Sequence, residues 1–301
     1  MELRQLRYLV TLAEELHFTR AAAQEHIAVG AFSEQFSRLE RELGTPRFLR
    51  TTRQVELTEA GAAIVLHARR VLREVAELAI TASGYARSQA GMLSVGLGAA
   101  DVHVTPDILR TFTSAHPEVA LHAHQYGYDD PSAGLRSGAS DVAVLWGPQT
   151  TDGWLVHQLR TEPRVAALPS DHVLATRKSL CADDLLGEAW LDVPASDPVW
   201  RDFWLLAEHR DGGAPRMGSS SSTRDGLLEL VSAGQGISLL PRVVSQHVTL
   251  PGVCFIPVED AAHCQILVAA PVQLLSPLAG SFVAAALVVA GRSTGSSPGA
   301  G

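Results

Sequence analysis

At 301 residues, with 46% hydrophobic and 19% charged side chains, the chain is long enough for a small domain beside one or two larger ones and has the texture of a globular protein. Its net charge of −8 supplies no overall attraction to nucleic acid. Cys181, Cys254 and Cys264 are odd in number and in no metal-ligand spacing, which argues against a disulfide framework or a zinc site. Cys254 and Cys264 read as small apolar side chains on core strands, with a redox pair as the alternative. Glu2, Arg4 and Arg7 break up the first turn, and the most apolar stretch, residues 282–290, is too short to span a bilayer. The expectation is a cytoplasmic protein with no membrane partner.

In chain order, Leu6, Leu9, Val10, Ala13 and Leu16 recur at helical spacing. Thr19 stands where an N-cap would, ahead of a short helix over 20–25. After a break at 28–30, Phe32, Phe36, Leu39 and Leu43 mark a further helix, and Gly44 follows where a left-handed C-cap is favoured. Two short helices joined by a tight turn form the unit that places its second helix in the DNA major groove. Residues 48–57 then alternate like a hairpin with Arg50 and Arg53 near the tip, a wing against a phosphate backbone. Residues 1–58 are thus expected to be a winged helix-turn-helix. Residues 1–60 hold eight arginines against nine glutamates, so binding would depend on where the arginines point and on dimerisation.

Thr58 is placed to cap a long helix over 59–88. Within it Ile64, Ala68, Val71, Val75, Leu78, Ala82 and Tyr85 alternate four and three apart, the a/d seam of a dimerisation helix, with packing on its own domain as the alternative. We take 59–90 as linker. From Gly91 short apolar runs alternate with helical segments, which indicates an α/β domain over 91–291. Strands are expected at 93–97, 119–122, 142–145, 156–159, 165–168, 237–240 and 266–269. Helices are expected at 106–115, 131–137, 182–186, 198–208, 223–233, 241–247 and 277–290. Residues 292–301 read as a disordered Gly/Ser tail.

Several stretches carry a family resemblance. Met1-Glu-Leu-Arg-Gln-Leu-Arg-Tyr8, Ala13-Glu-Glu-Leu-His-Phe-Thr-Arg-Ala-Ala22, Leu39-Glu-Arg-Glu-Leu-Gly44 and Leu57-Thr-Glu-Ala-Gly61 resemble a LysR-type transcriptional regulator. Asp141-Val-Ala-Val-Leu145, Leu168-Pro-Ser-Asp-His172 and Val231-Ser-Ala-Gly-Gln-Gly-Ile-Ser-Leu-Leu-Pro241 resemble the effector domain of the same family. The resemblance implies an α/β chain with an N-terminal winged helix-turn-helix, a long dimerisation helix, and a two-lobed effector domain like type 2 periplasmic binding proteins. Lobe one would be 91–161 plus 265–291, and lobe two 162–264. It also implies a homodimer or homotetramer that binds double-stranded promoter DNA and responds to a small-molecule effector.

In the head, the family pattern Ser-Gln-Pro-Ala-(apolar)-Ser-Arg-Gln-Ile aligns with residues 28–36. Ala31, Ser33, Glu34, Gln35, Ser37 and Arg38 are the candidates for the groove. Thr19, Arg20, Arg50, Thr51 and Arg53 are the candidates for backbone contacts. Val29 replaces the usual Gln, Glu34 the usual Arg, and Glu25 a buried Leu, so an altered operator or an impaired head is expected.

In the effector domain, loops at strand ends should line the cleft: Ala99, Ala100 and Asp101, then Gly127 and Tyr128, then Trp146 and Gly147. Ala195, Ser196, Ser219, Ser221 and Gly236 would complete it from the other lobe. Family members often place Ser or Thr after the first strand to bind a carboxylate, whereas Ala99, Ala100 and Asp101 stand here. Tyr128 and Trp146 point to an aromatic-walled pocket for a more apolar molecule, with Trp146 as plain core filling the alternative. His122 and His124 share a strand face but have no third ligand at a metal-binding spacing. No catalytic motif is present, so neither a catalytic residue nor a cofactor is expected. The competing reading is a small-molecule sensing protein whose head has drifted from DNA readout.

Overall fold

The computed structural model describes residues 2–43, 48–50, 55–98 and 104–294. The chain divides into two compact units, 1–80 and 81–301.

In the first unit, α1 (Leu3–Glu15), α2 (Phe18–Gln24) and α3 (Val29–Leu43) are followed by the short antiparallel strands β1 (Phe48–Arg50) and β2 (Val55–Leu57). Leu6, Leu9 and Leu12 of α1 meet Ala21 and Ala22 of α2 and Phe32, Phe36 and Leu39 of α3 in one core. Leu16 does not join it. Its φ of 47° places it in the left-handed region that closes α1, and it is exposed. Thr19 is not an N-cap, because α2 begins at Phe18 with His17 as its cap residue. The Phe18 ring stands edge-on to Phe32 at 6.0 Å and to Phe36 at 5.8 Å, and this packing draws the helix start back by two residues. The proposed C-cap Gly44 and the wing residues Thr51 and Arg53 lie outside the described residues.

Helix α4 (Glu59–Gln89) opens with Gly61 N–H donating to the Thr58 hydroxyl at 2.9 Å. Ile64 and Ala68, the first two seam positions, pack into the head core. From there on the seam is open: Val71, Val75, Leu78 and Tyr85 are all exposed, Leu78 by 68%.

In the second unit, β3 (Met92–Leu97), β4 (Ala120–Gln125), β5 (Val142–Gly147), β6 (Trp154–Glu162) and β12 (Cys264–Pro271) form a five-stranded sheet in the order β4-β3-β5-β12-β6. β4, β3 and β5 run parallel, and β12 returns antiparallel between β5 and β6. Helices α5 (Val104–Ala115) and α9 (Pro277–Thr294) pack on one another through Phe112 and Phe282, whose rings lie 5.4 Å apart. α9 continues four residues past its expected end into the segment read as a tail. The remainder, 295–301, lies outside the described residues.

The other lobe is built on β7 (Arg164–Pro169), paired antiparallel with β10 (Ser238–Pro241) and β11 (Val253–Pro257). Beside it, β8 (Ala189–Asp192) pairs in parallel with β9 (Arg216–Ser220). Helices α6 (Pro198–Trp204), α7 (Arg224–Ser232) and α8 (Arg242–His247) complete it.

Three expected helices differ. Residues 131–137 form consecutive turns, because Ala133 and Gly134 take φ values of 49° and 82° that a right-handed helix excludes. The helix expected over 182–186 is a 3-10 turn, Ala182–Leu185. The helix expected to reach residue 208 stops at Trp204, with Leu206 left-handed at φ 55°.

Candidate functional site

In the head, the inward positions of α3 are Phe32, Phe36 and Leu39. Residues three and four apart share a helix face, so Ala31, Glu34 and Arg38 form the opposite stripe, and all three are exposed. Ser33, Gln35 and Ser37 flank it half-buried, and Val29 is exposed at the helix start. Thr19 and Arg20 are exposed in the first turn of α2, and Arg50 closes β1.

The arginines are not held in reserve for a ligand. Arg4 pairs with Glu2 at 3.4 Å, Arg7 with Glu25 at 2.7 Å, Arg20 with Glu15 at 2.8 Å, and Arg38 with Glu42 at 3.2 Å. Each of these arginines is more than half exposed. The pairs of Arg4, Arg20 and Arg38 stabilise by about 0.2–1 kcal/mol each, so a phosphate exchanges for those glutamates at little cost, whereas the Glu25 partner of Arg7 is only 9% exposed. Glu25, the departure from a buried Leu, is accommodated: it accepts from Arg7 Nε and from the Thr11 hydroxyl, both at 2.7 Å. It ties α1 to α2 and leaves no unpartnered buried charge.

In the effector domain, Tyr128 and Trp146 of the sheet lobe meet Val193, Trp200, Trp204, Leu227, Ser238 and neighbours of the other lobe around one cavity. The Tyr128 and Trp200 rings are 5.6 Å apart, and Trp200 and Trp204 5.7 Å. The aromatic rings fill most of the space and leave about 20 Å³ open, room for a single water.

Three contacts hold the lobes together here. Tyr128 N–H donates to the Ser222 carbonyl at 2.7 Å. Gly127 sits so close to the same carbonyl that a Cβ would lie 2.7 Å from it. Asp197, nearly fully buried, accepts from Trp200 N–H at 3.0 Å to cap α6, from Thr150 N–H at 2.9 Å, and from Arg136 at 3.2 Å. The cap that starts the helix bearing Trp200 and Trp204 is therefore also the hook to the opposite lobe.

The other described sequence candidates fall elsewhere. Ala99, Ala100 and Asp101 lie outside the described residues. Gly147 packs against Leu267. Ala195 packs on the core, and Ser196 is exposed. Ser219 reaches Gln235 at 3.4 Å, and Ser221 bonds within its own loop to Thr223. Gly236, at φ 151°, lets β8 approach: a Cβ there would stand 2.9 Å from the Ala189 carbonyl. Sequence reasoning did not select Trp200 and Trp204, although an i,i+4 tryptophan pair on an expected helix was visible.

The far end of β5 faces the linker. Asp141, just before β5, receives Arg87 Nε at 3.0 Å and its NH2 group at 2.5 Å, together with Ser94 N–H at 2.9 Å. One strand thus runs from Trp146 at the cavity to the last turn of α4.

The three cysteines are unpaired. Burial pushes the Cys264 thiol up to about 12 and also raises that of Cys254, so neither supplies a reactive thiolate at neutral pH. Among the described residues no three His, Cys, Asp or Glu side chains gather as a metal site, and no helix is long and apolar enough to cross a membrane.

Comparison with known proteins adds the following. Residues 3–62 match the family model "Bacterial regulatory helix-turn-helix protein, lysR family", and residues 86–289 match "LysR substrate binding domain". The chain is 34% identical over 265 residues, 85% of each protein, to a hydrogen peroxide-inducible genes activator of Dickeya chrysanthemi. It is 31% identical over 80% of each protein to the HTH-type transcriptional regulator AlsR of Bacillus subtilis (strain 168). In fold it resembles full-length CbnR solved with its target DNA, at 24% identity and a TM-score of 0.51, covering 96% of this chain and all of that one.

Proposed function

Since the chain belongs to the LysR family of DNA-binding transcriptional regulators, a family of non-enzymes with an effector-binding domain, we propose that it reads promoter DNA through the Ala31/Glu34/Arg38 stripe of α3 and answers to a small molecule held between its lobes. The observation that carries this reading is the exposed stripe itself. A helix whose inner face is locked by Phe32, Phe36 and Leu39 presents the opposite face to water, as a groove-reading helix must. Ser33, Gln35 and Ser37 flank that stripe. Thr19 and Arg20, with Arg50, Thr51 and Arg53 of the wing segment, are the backbone contacts of this reading.

The open seam of Val71, Val75, Leu78 and Tyr85 on α4 supports a homodimer, in which two heads address two half-sites. Dimers pairing further into tetramers fit the same scheme. A regulator of this kind works in the cytoplasm, with the chromosome. The peroxide response is named for the Dickeya relative; in this chain burial raises the Cys264 and Cys254 thiols, and Cys181 is exposed.

The test is a nuclease footprint on the DNA upstream of the protein's own gene. We expect a protected region with two half-sites about one or more helical turns apart. Protection no better than on random DNA, from a folded dimer, would overturn the reading.

A further inference from the structure

We propose that the cavity between the lobes takes an uncharged aromatic molecule bearing one hydrogen-bond acceptor, an aryl carbonyl compound being the simplest member of the class. The proposal rests on reading this cavity as the effector site and adds the chemistry of its occupant.

Its walls decide the charge. Among the described residues no formally charged side chain lines the void, so a carboxylate buried there would meet no described cation to balance its desolvation. A neighbouring void of about 10 Å³ is bordered by Arg201, but that guanidinium is tied to Asp192 at 2.9 Å. Arg224, close enough to Tyr128 to act on it electrostatically, is tied to Asp225 at 2.8 Å.

The polar atoms decide the rest. Trp204 is 92% buried, from a relative exposure of 8%, yet its Nε1–H has no hydrogen-bond partner. Tyr128 lines the same cavity, and burial pushes its hydroxyl up, so it stays a neutral donor. A buried donor without a partner costs stability, and an acceptor oxygen on a molecule in this cavity would satisfy the Trp204 indole. Tyr128 and Trp146 come from one lobe and Trp200 and Trp204 from the other, so space for a ring opens as the lobes part, with the Trp204 donor left in its own lobe. Aromatic rings in the wall, Tyr128, Trp146, Trp200 and Trp204, select a flat ligand.

Calorimetric titration of the full-length chain with acetophenone, ethylbenzene and benzoate tests this, because the three are close in size and differ in acceptor and charge. We expect saturable acetophenone binding at least tenfold tighter than ethylbenzene, and no binding of benzoate. Trp204→Phe keeps the ring and removes the donor, so it should bring acetophenone down to the ethylbenzene affinity. Tyr128→Phe should weaken acetophenone in the same direction. Benzoate binding as tightly as acetophenone would overturn the proposal. So would binding of none of the three by a preparation that still protects its upstream DNA, and that result would leave the regulator reading standing. Acetophenone binding by a chain that protects no DNA would support the ligand class and count against the head alone.

Discussion

Around the head, arginines pair with glutamates near the surface: Arg20 with Glu15 and Arg38 with Glu42. Around the inter-lobe cavity no described charged side chain lines the void, and the buried Asp197 nearby is bound on three sides. The first arrangement suits a ligand that arrives already charged. Exposed pairs are weak and screened by salt, so a polyanion trades places with the glutamates without leaving a buried charge behind. The second suits a ligand that brings none. Ion pairs in the head are replaceable contacts, whereas the Asp197 cluster is part of the fold.

Substitutions in the two regions should therefore act on different observables. The largest effect is expected from Asp197→Ala, which uncaps α6, leaves Thr150 N–H without its acceptor and removes one of the two acceptors of Arg136. With Arg136 partly solvated, the loss should be about 2–3 kcal/mol in effector-domain stability. It is read by tryptophan-monitored melting, and a wild-type melting curve would contradict the clamp. Gly127→Ala comes next: its Cβ pushes on the Ser222 carbonyl and should destabilise the closed lobes by about 1–3 kcal/mol. Acetophenone on-rates should rise if the lobes part.

In the head, Glu34→Arg adds two units of positive charge to the exposed stripe and should leave the melting curve unchanged. DNA affinity should rise about tenfold at 0.1 M salt, with the slope of log K against log salt steeper by about one. An unchanged slope would show that Glu34 does not face phosphate.

The smallest effect concerns the thiols. At pH 8 iodoacetamide should label the exposed Cys181 and spare Cys264 until the protein is denatured. Because the folded Cys264 thiol ionises near 12 rather than about 8.5 as in an unfolded chain, raising pH across that window favours unfolding, and stability should fall. Rapid labelling of Cys264 in the native state would contradict its burial.

The head was more legible in the sequence than the cavity, for physical reasons. Helices α3 and α4 announce themselves through apolar spacing, and Thr58 caps α4 as its position indicates. The cavity depends on contacts that spacing does not carry: Arg136 and Asp197 are 61 residues apart, and Arg87 and Asp141 are 54 apart. Strands β8, β9 and β11 are short, and β9 holds Gly218, Ser219 and Ser220, residues of low strand propensity. The segment 131–137 read as helical because its composition hides the left-handed turn at Ala133 and Gly134. Trp200 and Trp204 were overlooked for a different reason: open α/β sheets direct attention to loops at strand ends, and here a short helix capped by Asp197 supplies the cavity wall.

The measurement that tests the central claim most directly is a fluorescence-anisotropy titration of the full chain on its own upstream DNA, against a scrambled duplex, at two salt concentrations. The account predicts tighter binding to the upstream DNA, weakening as salt rises because the head's arginines exchange glutamate for phosphate. Equal affinity for both duplexes, or affinity indifferent to salt, would contradict it.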